Sequence, residues 1–240
     1  MPRADTLLAE RGFFESRAKA RAAIEAGLVS ADGITVAKPS QDVAPQAAIV
    51  AESPHPFVSR GGVKLDFALE HFGIGVTDRY CLDLGASTGG FTDALLQRGA
   101  RHIVAVDVGS GQLHPRILAD PRVTSYEKLD ARALDAAHLA EPPTLIVCDA
   151  SFISLTLLLE RPLSLAAREA TLVALIKPQF EAGRGAGKKG VVRDSSVHEA
   201  ACEKIAGALV GLSWRVLGIT SSPIQGGDGN REFLICGQRP

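Results

Sequence analysis

Tyr80-Cys-Leu-Asp-Leu-Gly-Ala-Ser-Thr-Gly-Gly-Phe91 reads as a short apolar strand that closes on an acid and runs into a glycine-rich turn. That succession points to an α/β fold, because a strand, a glycine turn and a helix in this order build nucleotide-type cofactor sites. The spacing departs from the G-x-G-x-x-G dinucleotide fingerprint: Gly85, Gly89 and Gly90 are present, Asp83 precedes the first glycine, and Ser87 replaces the second. A pyrophosphate wants backbone N–H groups at a helix N-terminus. S-adenosylmethionine carries no phosphate but has a sulfonium cation and a free amino-acid end, so a carboxylate on the strand is favourable to it. The turn therefore suggests a methyl donor. The next apolar run, His102-Ile-Val-Ala-Val-Asp107, also ends in an acid, where such sheets hold ribose hydroxyls. A plain glycine turn after a first strand is the competing reading, and the second acid weighs against it.

Outward from this stretch, apolar runs at 80–84, 102–107, 144–149, 171–177, 214–220 and 232–236 alternate with helix-like segments, and Arg122–Tyr126 adds a seventh strand. A first helix is expected over 62–72. This alternation predicts a mostly parallel sheet covered on both faces. The chain before it differs in character. Residues 1–50 read as a small α+β module, 51–60 as a linker containing Pro54 and Pro56, and 61–240 as the α/β domain. In the module, Ser16 is placed to cap a helix whose face carries Ala20, Ala23 and Ile24 and which Gly27 stops. Leu28–Val36 reads as a hairpin about Asp32-Gly33.

With 240 residues and 46% hydrophobic content, the chain has material for one sizeable core and one small one. Its 26 Lys and Arg against 27 Asp and Glu give a net charge of −1, which excludes a global basic field and leaves any nucleic-acid binding to local patches. The cysteines, Cys81, Cys148, Cys202 and Cys236, show no metal-ligand spacing and no disulfide framework, as expected of a reducing cytoplasm. No metal is expected. The start Met-Pro-Arg-Ala-Asp lacks a signal-peptide core, and no run is long and apolar enough for a membrane span.

Charged residues stand where an α/β sheet places chemistry. Asp149 ends Leu145-Ile-Val-Cys-Asp, Lys177 ends Leu172-Val-Ala-Leu-Ile-Lys, Glu232 opens the last strand, and Lys64 lies on the helix before the first. Each alone reads equally well as the solvated end of its element; the four together suggest a site.

The first module resembles the S-four-type RNA-binding domain through Ser16-Arg17-Ala18, Ile24, Gly27, Val29 and Asp32-Gly33. That resemblance implies RNA contacts from Arg3, Arg17, Lys19 and Arg21, although seven Lys and Arg in residues 1–60 are balanced by seven Asp and Glu. A solvated basic helix face is the plainer alternative. The whole chain resembles the TlyA family, often labelled hemolysins, which joins such a module to an FtsJ-like methyltransferase domain. The matching stretches are Val58–Leu65, Asp83–Thr92, Ala105–Gly109, Cys148–Ser154, Lys177–Glu181, Gly190–Asp194 and Asn230–Phe233.

The family likeness implies a Rossmann-like sheet whose last strand is antiparallel, with S-adenosyl-L-methionine as cofactor. It implies 2′-O-methylation of cytidine in ribosomal RNA, with the ribosomal subunit as partner. It assigns catalysis to Lys64, Asp149, Lys177 and Glu232, and cofactor binding to Asp83, Gly85, Ala86, Ser87, Gly89, Gly90, Phe91, Asp107 and Asp130. A ribose hydroxyl is a poor acid, so Lys177 is expected to act either as a base or as a charged group that steers the oxygen. Arg184, Lys188 and Lys189, in a glycine-rich basic segment, are further candidates for RNA phosphates, and Phe180 for a flipped-out base. A noncatalytic ribosome-assembly factor and a hemolysin are the alternatives. The intact four-residue set argues against the first, and the missing membrane-insertion pattern against the second.

Overall fold

The structure, a computed structural model, describes residues 1–183, 190–226 and 229–239. It divides into two compact units, Met1–Pro56 and Phe57–Pro240. The expected linker, 51–60, spans this division: Ala51 closes a strand of the first unit, while Val58 is buried in a core of the second.

The first unit contains α1 (Ala4–Glu10), α2 (Arg17–Glu25), β1 (Val29–Ala31), β2 (Ile34–Thr35) and β3 (Ile49–Ala51). Ser16 stays extended and its Oγ accepts the Lys19 N–H, satisfying one of the unpaired donors at the start of α2. Ala20, Ala23 and Ile24 face inward onto Leu7, Leu8 and Phe14. Asp32 and Gly33 both take left-handed backbone, φ 51° and 78°, the geometry that lets a two-residue turn follow the twist of β1 and β2. Asp32 also exchanges hydrogen bonds with the Ala48 backbone, which brings in β3 as a third, antiparallel strand that the residue pattern had not signalled.

The second unit opens with α3 (Arg60–His71), β4 (Tyr80–Leu84), α4 (Gly90–Gln97), β5 (His102–Asp107), α5 (Pro115–Leu118), β6 (Val123–Glu127) and β7 (Leu145–Cys148). It continues with α6 (Leu155–Leu158), α7 (Glu160–Ser164), β8 (Thr171–Ile176), α8 (Pro178–Glu181), α9 (Ser195–Gly211), β9 (Arg215–Ser221) and β10 (Phe233–Gln238). The strands form one sheet in the order β6-β5-β4-β7-β8-β10-β9, parallel except for β10, which runs antiparallel to both neighbours. Successive residues feed opposite faces. Leu82, Val104, Ile146 and Leu172 pack into one core, and Cys81, Ile103, Leu145 and Val173 into the other.

Strand order reverses at β4, which has β5 on one side and β7 on the other, and an open sheet binds ligands at the carboxyl end of such a strand. The turn after β4 lies close against the start of α3. A Cβ on Gly90 would sit 2.2 Å from Ser59 Oγ and 2.9 Å from the Gly62 nitrogen. Gly90→Ala is therefore expected to cost about 1–3 kcal/mol through overpacking, whereas Gly207→Ala, on the open face of α9, is expected to add roughly 0.5–1 kcal/mol through helix propensity. Urea denaturation of the two variants checks both signs.

Candidate active site

A cleft of about 1100 Å³ opens at the carboxyl edge of the sheet, lined among others by Gly85, Ser87, Asp107, Gln112, Asp130 and Asp149. Its floor is the turn after β4. Gly85 holds φ 80° with its Cα turned toward the backbone of Asp149 and Ala150, where a Cβ would have only 3.0 Å. Asp107 closes the far wall: its Oδ2 accepts the Ser87 N–H at 2.8 Å and its Oδ1 the Gly109 N–H at 2.7 Å. Each oxygen keeps a lone pair for a ribose hydroxyl. Asp130 lines the cleft but is held by the Arg132 side chain and N–H, which lower its pKa.

Asp83 lies beneath the turn and does not line the cleft. It is fully buried, takes a 2.6 Å hydrogen bond from the Thr92 hydroxyl, and its Oδ1 has no partner. Burial pushes its pKa up to about 7; the Thr92 hydrogen bonds oppose this, while the negative charges of Asp149 and Asp107 add to it. Gly89, φ 93°, likewise serves packing, against Leu113 and Ile117. Gly85, Ala86, Ser87, Gly90 and Phe91 do line a narrower recess of about 160 Å³ that continues from the turn toward Asp149 and Lys177. A glycine-floored cleft with the carboxylates of Asp107, Asp130 and Asp149 on its walls suits the cationic end of S-adenosylmethionine.

The recess meets a third space of about 390 Å³, lined by Lys64, Asp149, Lys177 and Glu232 together with Ser151, Phe152 and Phe180. All four residues expected from the sequence thus converge. Lys177 and Asp149 follow the parallel strands β8 and β7; because β10 is reversed, its entry residue Glu232 reaches the same edge. The charges stand as two ion pairs. Lys64 Nζ is 2.5 Å from Glu232 Oε2, with both side chains at most a tenth exposed. Lys177 Nζ is 2.6 Å from Asp149 Oδ1, at an angle that does not make a hydrogen bond; it also donates to Ser151 Oγ at 2.8 Å and to the Asp149 carbonyl at 3.4 Å.

Three participants were not signalled by the pattern. Ser151 shares every one of these spaces with Asp149; its spacing two residues past Asp149 was the available clue. Phe152 is 90% exposed and held at φ 65°, with its ring 5.2 Å from that of Phe180. No residue pattern announces that backbone angle. Glu181 is buried, accepts from Ser154 Oγ and the Leu155 N–H, and pairs with Lys204 of α9 at 3.1 Å, which ties the loop after β7 to the turn after β8.

In the first unit, each expected RNA contact is paired with an acid: Arg3 and Arg17 with Asp5, Lys19 with Glu15, Arg21 with Glu25. Arg184, Lys188 and Lys189 lie outside the described residues. Among the described residues there is no cluster of three or more His, Cys, Asp or Glu that could hold a metal, and no helix long and apolar enough to cross a membrane.

A seven-stranded sheet with one reversed strand, a glycine turn at its switch point and acids at the ends of β4 and β5 defines the class of S-adenosylmethionine-dependent methyltransferases. Residues 57–239 match the FtsJ-like methyltransferase family and residues 2–49 the S4 domain, and the chain belongs to that two-part family. It is 43% identical, over 97% of its length and 88% of the relative's, to the 16S/23S rRNA (cytidine-2′-O)-methyltransferase TlyA of Mycobacterium tuberculosis. It is 36% identical to the 23S rRNA (cytidine-2′-O)-methyltransferase TlyA of Campylobacter jejuni, over 82% and 79% of the two chains. A solved Streptococcus thermophilus protein that carries the label hemolysin superposes with a TM-score of 0.79 at 40% identity, covering 99% of this chain and 88% of that one.

The Asp83 environment carries a pH signature. The folded chain keeps a proton on Asp83 up to about pH 7, while an unfolded aspartate releases it near pH 4 (about 3.9). Stability should therefore fall as pH rises between those values and then level off. Asp83→Asn is expected to remove roughly 2–3 kcal/mol of the loss between pH 5 and pH 8, measured by denaturant unfolding at both; identical pH dependence in the two proteins would mean that the carboxyl is ionised throughout.

Proposed function

We propose that this protein transfers the methyl group of S-adenosylmethionine to the 2′-oxygen of a cytidine in ribosomal RNA, with large-subunit rRNA the principal substrate and small-subunit rRNA a second one. The observation that carries the reading is the convergence of the Lys177–Asp149 and Lys64–Glu232 pairs on a space joined to the cofactor cleft at Asp149 and Ser151. The bound cofactor supplies the electrophilic methyl group. The protein supplies placement and charge.

Lys177 donates to Ser151 Oγ and the Asp149 carbonyl and stands 2.6 Å from Asp149 Oδ1 without bonding to it, which leaves its third ammonium hydrogen for another acceptor. This arrangement supports the second of the two roles: Lys177 turns that donor to the ribose oxygen and stabilises the negative charge growing there. The hydroxyl proton passes to Lys177 as Lys177 gives its own to Asp149; Lys177 stays an ammonium, Asp149 ends as the neutral acid, and the pair takes up the positive charge that the cofactor's sulfur gives up with its methyl group. Lys64 and Glu232 wall the same space as a second neutral pair and add no net charge to it. Phe152 and Phe180 stand where an extruded base would find aromatic faces. The cytidine assignment leans on the names of the two TlyA relatives, and rRNA as substrate implies action in the cytoplasm.

Tritium transfer from labelled S-adenosylmethionine to ribosomal subunits from cells lacking this protein tests the reading. Label on rRNA ribose is expected, with Lys177→Ala reducing the rate by about 100-fold or more. Absence of label despite cofactor and RNA binding would move the assignment to a noncatalytic assembly factor.

A further inference from the structure

The first unit contains an arrangement that composition conceals. Asp5 is 4% exposed, yet two guanidinium groups reach it from separate segments. Arg3 donates from Nε to Oδ1 and from Nη2 to Oδ2, both at 3.0 Å, a two-point grip that fixes the plane of the group. Arg17, at the start of α2, donates from Nη2 to the same Oδ2 at 3.2 Å. The two arginine side chains remain 50% and 59% exposed. The donors not spent on Asp5, Arg3 Nη1 among them, remain for a further acceptor. The other two expected RNA contacts differ: Lys19–Glu15 and Arg21–Glu25 are i,i+4 pairs at the surface, each neutral as a pair and without a buried anchor.

We infer that Asp5 is a positioning residue that holds Arg3 and Arg17 as a two-armed receptor for an RNA backbone phosphate. The unit of one carboxylate and two guanidiniums keeps one positive charge, and the shared Oδ2 sets the spacing of its arms. Arginine suits this use, since a fork anchored along one edge still presents donors from another. The two guanidiniums hold the Asp5 carboxyl well below the usual carboxylate range, the Arg3 hydrogen bonds most of all, so the anchor stays ionised wherever RNA is bound. The inference rests on the reading of this unit as an RNA-binding module, and it reverses the expectation from charge alone. An acid in an RNA-binding face should weaken binding, and its removal should tighten it; an acid that positions two arginines should do the opposite.

The test measures affinity of the full chain for 23S rRNA transcribed in vitro, across a salt series, for the wild type, Asp5→Asn, Arg3→Met/Arg17→Met and the triple variant. The double arginine variant is expected to bind weaker and to lower the salt slope by about 1–2. Asp5→Asn is expected to weaken binding about five- to tenfold, despite gaining a positive charge, and to have no further effect in the arginine-less background. Tighter or unchanged binding by Asp5→Asn, or an equal loss with and without the arginines, would overturn the positioning role; the latter would mark Asp5 as serving only the fold. Unchanged affinity in the double arginine variant would instead sink the assignment of this face to RNA.

Discussion

The carboxyl edge of the sheet depends on how closely two chain segments pass there. The chain leaving β4 at Gly85 runs against the chain leaving β7 at Asp149 and Ala150, with room for no Cβ between them. Parallel neighbours bring the ends of both strands to one level, and Gly85 takes left-handed backbone where the chain leaves β4. As a result Asp149 lines both the cleft proposed for the cofactor and the space proposed for the hydroxyl to be methylated. A side chain at Gly85 would separate the two. The close packing of Gly90 on the start of α3 extends the same constraint to the helix that carries Lys64.

Charge is then arranged so that the site stays nearly neutral while remaining polar. Burying an isolated ammonium or carboxylate is prohibitive, and a buried pair is tolerable only when its remaining donors and acceptors are satisfied. Lys177 meets this condition through Ser151 and a backbone carbonyl. Asp83 meets it differently, by holding a proton. Two mutually repelling carboxylates, Asp149 and Asp107, stand near it, and its unpartnered oxygen is easier to bury as part of a neutral acid. A cationic ligand in the cleft would favour proton release from Asp83, so cofactor affinity and the protonation of this residue are linked through the same potential.

The parts of this design legible in the sequence were those with a strong period or a rigid turn. Apolar runs at 80–84 and 102–107 coincide with β4 and β5, Ser16 and Gly27 bound α2, and Asp32-Gly33 forms its hairpin turn. The converging charges were visible because each closes or opens a strand. The rest depended on tertiary contact. β3 is three residues long and is defined by Asp32 bonding across to Ala48, which no local pattern encodes. The pattern points Asp83 at a ligand, but all five residues of β4 are buried, and the acid there turns to the hydroxyl of Thr92 on the following helix. Phe152, 90% exposed, takes a positive φ in the loop after β7, whose following residues Ser154 and Leu155 are tied down by Glu181 and, through it, Lys204.

The near-neutral composition is consistent with an RNA-acting protein once these pairings are considered. A strongly basic module gains affinity from counterion release at any phosphate and so binds nucleic acid indiscriminately. Here the surface arginines and lysines of the first unit are offset by Asp5, Glu15 and Glu25, which suppresses that general attraction. What remains is geometric: donors held at fixed spacing bind well only where phosphates match it. The candidate active site follows the same logic under the proposed roles: its charges are paired and give little long-range field until a ribose oxygen is placed between them. In both units, opposite charges are used to fix positions and little net attraction is left over, so selection of the target falls to the shape of the RNA.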